Sequence, residues 1–280
     1  MHTRQTAISD RAVSTQVSAF PWYDLPPVQR ANDALWRACV LPGSYLRTDD
    51  ASALWRRRDL LVSQACGLDL FLADAPIEPV AAPVFRLDCA AGHYYSYIVG
   101  ERNGRRAAVN ALSSHSGLTA LLTCCQPMSL VVSGSHSKSL AMLRAGLVDV
   151  AAIDAVTWHI LQAADPDVVA GLPVVDRSVA AMAPPFVARR DMQPQAIIAG
   201  LRRAMESDAV AAAREALWID DVQPVSRAQY AEVLAAFDAV RHRGGALLEN
   251  GSGAAVADPS MGARAAGAVS KHLKSPVQAE

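Results

Sequence analysis

Three short stretches decide the fold predicted from this sequence: Val109-Asn-Ala-Leu-Ser-Ser-His-Ser-Gly117, Val131-Val-Ser-Gly-Ser-His-Ser137 and Ala151-Ala-Ile-Asp-Ala-Val-Thr-Trp158. Each opens with small apolar residues typical of a buried strand and continues into Ser, Thr, Asp or His, residue types that favour the start of a helix. A helical pattern follows each of them, over residues 117–125, 138–146 and 156–164. Strands that alternate with helices predict α/β layering and a mainly parallel sheet.

The rest of the ordered chain continues the same alternation. Short apolar runs predict strands, and longer amphipathic segments predict helices near both ends of the core. The predicted strands are Leu60–Ser63, Ala107–Asn110, Leu130–Ser133 and Val148–Ile153, and the further predicted helices are Pro27–Val40, Pro194–Ala216 and Ser226–Arg241.

The composition indicates a globular protein without a global electrostatic preference. The chain has 280 residues, of which 51% are hydrophobic and 19% charged, with a formal net charge of -1. That is enough apolar material for one large domain or two small ones. A nearly neutral chain has no overall attraction to nucleic acid or to anionic membranes, so affinity for an anion must come from a local site.

The cysteines and the two ends of the chain complete this picture. The cysteine count is odd, at five, and no Cys-x-x-Cys pair occurs, which argues against a disulfide framework or a zinc ribbon. Residues 1–17 form a polar leader that we expect to be disordered, and residues 244–280, rich in Gly, Ala and Ser, are expected to form a flexible tail. The leader lacks the apolar core of a signal peptide, and no membrane-spanning stretch is evident.

The three strand-to-helix turns predict an anion site. The carboxyl ends of parallel strands open onto one edge of a sheet, where ligands bind. Helix N-termini bring unpaired backbone N–H groups and partial positive charge to that edge, and hydroxyl side chains add donors. Such turns hold an anion without Arg or Lys, and apart from the histidines only Lys138 is basic here.

The sequence resembles the phosphate/phosphite/phosphonate-type ABC-transporter substrate-binding proteins. The resemblance runs from about Phe20 to Tyr230, and its inner motifs are the most specific. The matching segments are residues 131–146, residues 149–154, Ala108-Val-Asn110 with Ser114-His-Ser-Gly117, Tyr23-Asp-Leu-Pro26 leading into a helix with Trp36, and Asp59-Leu-Leu-Val-Ser-Gln-Ala-Cys-Gly67.

The resemblance implies a two-lobed fold of the type-2 periplasmic-binding-protein class. Each lobe would be a mixed, mostly parallel sheet flanked by helices, and two crossing strands near residues 94–99 and 186–190 would act as the hinge. Lobe one would comprise residues 18–91 plus 186–243, and lobe two residues 92–185. Hinge closure of the lobes would trap the ligand.

The resemblance also implies a set of ligand-binding residues. Ser114, His115 and Ser116 would grip the oxyanion, and His136 would add a donor. Asp154 would accept a hydrogen bond from a protonated oxygen or an amine of the ligand, because a carboxylate repels a fully ionised dianion. The lobe-one residues Tyr23 and Gln64 and the hinge residue Tyr95 would close the cleft. His115 stands where the family usually has Thr or Ser.

The expected function is therefore that of a solute-binding protein for phosphate, phosphite or a phosphonate, working in ABC-type uptake or in sensing. The predicted partners are the small oxyanion and an ABC-transporter permease, without nucleic acid, membrane insertion, metal or cofactor, and the expected state is a monomer. The sequence as written predicts a cytoplasmic location, which becomes periplasmic if the natural N-terminus lies upstream.

Three alternatives stay open at this point. One is an enzyme or binder of the thiamine-pyrimidine-precursor type on the same two-lobed fold, since fold does not fix function. Another is a metal site at His93, Tyr94, Tyr95 and Tyr97, although neighbouring residues of a strand point to opposite faces. The least favoured is nucleic-acid binding through the short basic runs at residues 56–58 and 105–106, which a solvated face explains better.

Overall fold

A computed structural model describes residues 16–251 of the chain. The strands in this part are β1 (Val17–Ser18), β2 (Ser44–Tyr45), β3 (Leu60–Gln64), β4 (Ile77–Phe85), β5 (His93–Tyr94), β6 (Ser96–Gly100), β7 (Arg106–Val109), β8 (Ser129–Val132), β9 (Val150–Asp154), β10 (Val174–Arg177), β11 (Ala181–Met182), β12 (Phe186–Arg189) and β13 (Ile219–Pro224). The helices there are α1 (Gln29–Cys39), α2 (Ala51–Trp55), α3 (Asp69–Leu72), α4 (Ala120–Cys124), α5 (His136–Arg144), α6 (Ala155–Ala164), α7 (Pro194–Glu206), α8 (Ala211–Ala216) and α9 (Ala231–Gly251).

The strands form two separate sheets, each the centre of one lobe. The first sheet has the order β13-β4-β12-β3-β1-β2 and packs against α1, α7 and α8. The second sheet has the order β10-β6-β9-β7-β8. Helices α4, α5 and α6 contact this second sheet. We call the two units the first and the second lobe. The predicted α/β architecture with two lobes is confirmed.

Strand β7 organises the second lobe. It pairs in parallel with β8 on one side and with β9 on the other, so the carboxyl ends of these strands lie along one edge. The side chains of β9 are buried along its whole length, as a strand covered on both faces requires. The three turns quoted above therefore meet at one edge of the sheet, which we call the turn edge.

Parallel pairing does not predominate in either sheet, contrary to the prediction. In the first sheet β12 runs antiparallel to both β3 and β4, and β13 runs antiparallel to β4. In the second sheet β6 runs antiparallel to both β9 and β10. Along the chain, antiparallel strands come directly before and after each of the two segments that link the lobes. Because the chain passes from the first lobe to the second and later returns, it adds strands of opposite direction to both sheets. Hydrophobic patterning alone does not reveal the direction of a strand.

The links between the lobes differ from the predicted crossing strands. Strand β12, predicted as a crossing near residues 186–190, is an interior strand of the first sheet because its backbone pairs on both sides. Strand β6 likewise belongs to the second sheet. The segments that connect the lobes instead pair with each other as β5 and β11. Gly92, just before β5, has φ +70°, and a Cβ there would lie 1.8 Å from Gln223 Nε2, so this position requires glycine.

Helix α9 also departs from the prediction. It was assigned to lobe one with a flexible tail from Gly244, but it continues to Gly251 and packs on β8 and α4 of the second lobe. Arg243 donates hydrogen bonds to the carbonyls of Leu122 and Cys125. A Cβ at Gly244 would lie 2.9 Å from the Leu118 side chain, so the small residue permits close packing. Tertiary contacts thus extend a helix that the composition does not favour.

Most of the predicted leader and tail lies outside the described residues, although Val17 already pairs within the first sheet. The helix predicted over residues 194–216 is divided into α7 and α8. Ser207 takes an extended backbone between them, and Arg214 donates to the freed carbonyls of Ala204 and Ser207. Among residues 16–251, no helix has both the length and the apolar character needed to cross a bilayer.

Candidate functional site

The three turns at the turn edge share one local design. In each, a side-chain oxygen at the helix start accepts a hydrogen bond from the backbone N–H three residues later. Ser114 Oγ accepts from Gly117 at 2.9 Å, Ser135 Oγ from Lys138 at 3.1 Å, and Asp154 Oδ1 from Thr157 at 2.9 Å. These caps fix the helix starts, where the first backbone N–H groups have no partner within the helix.

A chain of side chains joins the first turn to the second. The hydroxyl groups of Ser114 and Ser116 are 3.4 Å apart, and Ser116 Oγ is 3.0 Å from His136 Nε2. Residues 115–119 form a π-helical turn, a rare geometry that often occurs at functional sites. The structure therefore brings together Ser114, Ser116 and His136, as the sequence predicted for the ligand-binding turn and its neighbour.

The third turn meets the first lobe directly. Tyr23 Oη donates a hydrogen bond of 3.0 Å to Asp154 Oδ2, and both side chains are buried. The edge of the Tyr23 ring packs on Phe85, with ring centroids 5.2 Å apart. Because these two residues lie on different lobes, the lobes are closed on each other in this structure. Asp154 thus accepts hydrogen bonds from both lobes, from Tyr23 and from Thr157.

Tyr94 lies at the centre of the cluster, and sequence reasoning missed it. Its ring centroid is 6.2 Å from that of His115. Burial raises the pKa of Tyr94 well above its usual value, and the neighbouring Cys66 and Asp154 raise it further. The side chain had been weighed only as strand packing or as part of a metal site. Tyr94 lies on the short link strand β5, where both lobes meet, and the sequence pattern did not identify this strand as a link.

Two predicted residues lie outside this cluster. Gln64 Oε1 accepts from the backbone N–H of Trp22 at 3.2 Å, which holds the loop that carries Tyr23. The Tyr95 hydroxyl is 3.4 Å from the Tyr97 hydroxyl, and the Arg177 guanidinium lies 5.1 Å from the Tyr95 ring centroid. Of these two, Gln64 is placed to support the cleft wall, whereas the side chain of Tyr95 points to another group of residues.

The ionisation of the cluster is set by burial. Burial lowers the pKa of His115 and of His136 to about 4, so both rings are neutral at pH 7. Burial raises the pKa of Asp154 to about 6, against the opposing hydrogen bonds from Thr157 and Tyr23. Among residues 16–251, no Lys or Arg side chain hydrogen-bonds to these groups. The site therefore offers neutral donors and one carboxyl group that titrates close to neutrality.

Two buried polar atoms beside the first turn have no hydrogen-bond partner among the described residues: His115 Nδ1 and Asn110 Oδ1. Asn110 lies directly against Gly117, where a Cβ would come within 2.0 Å of its Oδ1. An unpaired buried polar atom costs about 1–3 kcal/mol. Such atoms are normally paired with protein, water or a bound group.

The residues named for the metal alternative make contacts with other protein groups. In the part of the chain that the structure describes, no group of three or more His, Cys, Asp or Glu side chains is arranged to hold a metal ion. His93 Nδ1 instead lies 3.0 Å from the Ala91 carbonyl, and Tyr97 Oη lies 3.1 Å from His159 Nε2.

Comparison with solved structures defines the class of the fold. The binding-protein component of an ABC phosphonate transporter from Pseudomonas aeruginosa superposes with a TM-score of 0.66 at 13% identity, over 92% of this chain and 95% of that one. PhnD1 from Prochlorococcus marinus, in complex with methylphosphonate, gives 0.62 at 13% identity over 81% and 97%. A Xanthomonas citri protein bound to ATP gives 0.56 at 17% identity over 82% and 98%. The fold is that of the type-2 periplasmic binding proteins.

A family profile matches the second lobe and part of the first. Residues 102–230 match the profile of the family described as "ABC transporter, phosphonate, periplasmic substrate-binding protein". The resemblance to phosphonate-type substrate-binding proteins predicted above is thereby confirmed, and the matched region contains the whole turn edge. Among proteins of curated function, no significant match is found.

Proposed function

We propose that this chain is a solute-binding protein that closes its two lobes around a small phosphorus oxyanion. The proposal is carried by one observation: the turn edge gathers capped helix starts, two serine hydroxyls and His136, beside two buried polar atoms that lack partners. Oxygen atoms of an oxyanion accept hydrogen bonds from backbone N–H groups, from hydroxyls and from a histidine N–H, whereas Asn110 Oδ1 accepts one from a protonated oxygen of the ligand. The family match of residues 102–230 supports the same conclusion.

The charge state of the cluster favours an anion that still carries a proton. Neutral His115 and His136 donate hydrogen bonds without contributing net charge. The carboxyl of Asp154 is ionised above about pH 6 and then repels an anion. Each Asp154 oxygen already accepts one hydrogen bond and can accept a second, so a ligand beside Asp154 must supply a donor of its own, such as a protonated oxygen. Phosphate, phosphite and phosphonates have this chemistry.

The remaining parts of the proposal rest on the family. A substrate-binding protein of an ABC transporter delivers its ligand to a permease, so we propose such a partner. The family description also favours a periplasmic location over the cytoplasmic one expected from the sequence as written. In this role the chain binds its ligand without chemical conversion. Cell fractionation followed by immunodetection tests the location.

Thermal-shift measurements on the purified chain test the binding function. The ligands are phosphate, phosphite, methylphosphonate, 2-aminoethylphosphonate and sulfate, with a thiamine-pathway pyrimidine to probe the alternative. A ligand present at 100 times its Kd stabilises the fold by about 2.7 kcal/mol, which raises the melting temperature by a few degrees. We expect one or more phosphorus oxyanions to produce this shift.

The matched control compares two histidines of the chain. His136→Ala removes a ring from the turn edge, whereas His242→Ala removes an exposed ring from α9. The ligand-induced shift should shrink in the first variant and persist in the second. Absence of a shift with every phosphorus oxyanion, or a shift with the pyrimidine alone, would contradict the proposed function.

A further inference from the structure

Helix α6 joins the second lobe to the first at more than one point. Its N-cap, Asp154, accepts the hydrogen bond from Tyr23 inside the cleft. Its buried side chains Val156 and Ile160 pack in a hydrophobic cluster with residues of the first lobe, including Phe20 and Leu35. The position of α6 relative to the first lobe therefore decides whether the cleft is open or closed.

A second contact lies farther along the same helix. The His159 ring stacks on the Trp218 ring of the first lobe, with centroids 4.7 Å apart and an angle of 3° between the planes. His159 follows Asp154 by five residues, which is about 7.5 Å along a helix axis. Two contacts at this separation hold both the position and the orientation of α6, which neither contact does alone.

The histidine is held in place from its own lobe. Tyr97 Oη lies 3.1 Å from His159 Nε2, and the edge of the Tyr97 ring meets the His159 ring at a centroid distance of 5.7 Å. Tyr97 is fixed in turn by Trp158 and Tyr95, which pack against its ring at 6.0 and 5.4 Å. The His159 ring is therefore presented to the first lobe in one orientation.

Trp218 is held in place with a strained backbone conformation. Trp218 has φ +58°, which side chains other than glycine rarely adopt. Its indole Nε1 donates to the Arg86 carbonyl at 2.7 Å, and its own carbonyl accepts from the Arg86 N–H at 3.0 Å. These bonds fix the indole just before the start of β13. A strained residue that is held in this way points to a function for its side chain.

We propose that His159 and Trp218 form an aromatic clasp that stabilises the closed arrangement of the two lobes. The clasp lies outside the cluster of the turn edge, so it sets the balance between open and closed forms without contacting the ligand. Because affinity depends on the fraction of binding-competent molecules, the clasp tunes affinity from a distance. This inference does not depend on which ligand the cleft holds.

Amide hydrogen exchange of the ligand-free full-length chain tests the clasp. His159→Ala and Trp218→Leu each remove one ring. A stacked aromatic pair stabilises by an amount that corresponds to roughly a 2- to 10-fold change in equilibrium. We expect exchange of residues 110–120 and 154–158, which line the cleft, to accelerate by this factor in either variant. Exchange of the core strand β3 should stay unchanged, and His242→Ala should behave as the wild type.

The double variant separates a clasp from two independent structural roles. If the rings act on each other, the double variant accelerates cleft exchange no more than the stronger single variant does. Unchanged cleft exchange in His159→Ala, additive effects in the double variant, or an equal acceleration in β3 would each overturn the proposal. Should Trp218→Leu fail to fold, Trp218→Phe, which keeps a ring for the stack, takes its place and should show the smaller effect.

Discussion

The two walls of the cleft are built in different ways. The wall from the second lobe consists of three turns, each fixed by a hydrogen bond between residues three apart, as between Ser114 and Gly117. The wall from the first lobe presents Tyr23, whose position depends on the hydrogen bond that the neighbouring Trp22 N–H donates to Gln64 and on packing against Phe85. The second-lobe wall is fixed by hydrogen bonds within its own turns, whereas the first-lobe wall meets the second lobe through the bond from Tyr23 to Asp154. We therefore propose that ligand recognition belongs mainly to the second lobe, and closure to the first.

The strongest test of these two roles removes hydrogen-bond donors from the second-lobe wall. Ser116→Ala and His136→Ala should each weaken methylphosphonate binding by roughly 10- to 100-fold, because each deletes a hydrogen bond to a charged group in a buried site. Isothermal titration calorimetry measures the Kd, and circular dichroism checks that the fold is retained. Unchanged affinity in both variants would show that recognition lies elsewhere.

The pH dependence of ligand binding tests the role of Asp154 in the second-lobe wall. This carboxyl has a pKa of about 6 in the closed protein, so it is neutral below that pH and repels an anion above it. Affinity for methylphosphonate should therefore fall as the pH rises from 6 to 8, by on the order of tenfold if the bound anion raises this pKa by one unit.

The matched variant for this measurement is Asp154→Asn. It carries no charge at any pH, so the ratio of wild-type to variant affinity cancels the titration of the ligand itself. That ratio should decrease with rising pH. A constant ratio between pH 6 and 8 would exclude Asp154 as a group that senses the charge of the ligand.

Substitutions in the first-lobe wall should weaken ligand binding less than those in the second-lobe wall. Tyr23→Phe deletes the hydrogen bond to Asp154 but keeps the ring against Phe85, so affinity should weaken by roughly 2- to 10-fold. Stopped-flow measurements should place most of the change in the dissociation rate, since the lobes release each other more readily. A loss larger than that of Ser116→Ala would reverse the assignment of the two walls.

The smallest expected effect concerns helix α9. Arg243→Ala removes the hydrogen bonds to the Leu122 and Cys125 carbonyls and should lower the free energy of unfolding by about 1 kcal/mol, measured by urea denaturation. Arg241→Ala is the control, because Arg241 forms an i,i+3 ion pair with Asp238 on the same helix, and such pairs contribute only about 0.3–0.5 kcal/mol. Equal losses in the two variants would mean that α9 is not held to the second lobe by Arg243.

Local chemistry made the turn edge readable from the sequence. Apolar runs followed by Ser, His or Asp predicted β7, β8 and β9 within about two residues of their ends, and placed Ser114, Ser116, His136 and Asp154 at one edge. These features depend on neighbouring residues, and a capped helix start carries its signal in three or four positions. The resemblance to a known family then supplied Tyr23, which no local pattern indicates.

Features that depend on distant partners escaped prediction. Strand β12 looks like any short apolar run, and only its pairing with β3 and β4 assigns it to the first sheet. The bond from Tyr23 to Asp154 spans 131 positions of the chain, and helix α9 owes its length to contacts with the second lobe. Tyr94 was undervalued for the same reason, because its importance comes from where the lobes meet.

The path of α9 has a practical consequence. The first described strand, β1, belongs to the first lobe, and the last helix packs on the second. The two ends of the described region are therefore attached to different lobes. A donor fluorophore joined before Val17 and an acceptor joined after α9 would change their separation whenever the cleft opens or closes. The protein has, in its own chain path, the layout of a genetically encoded optical sensor.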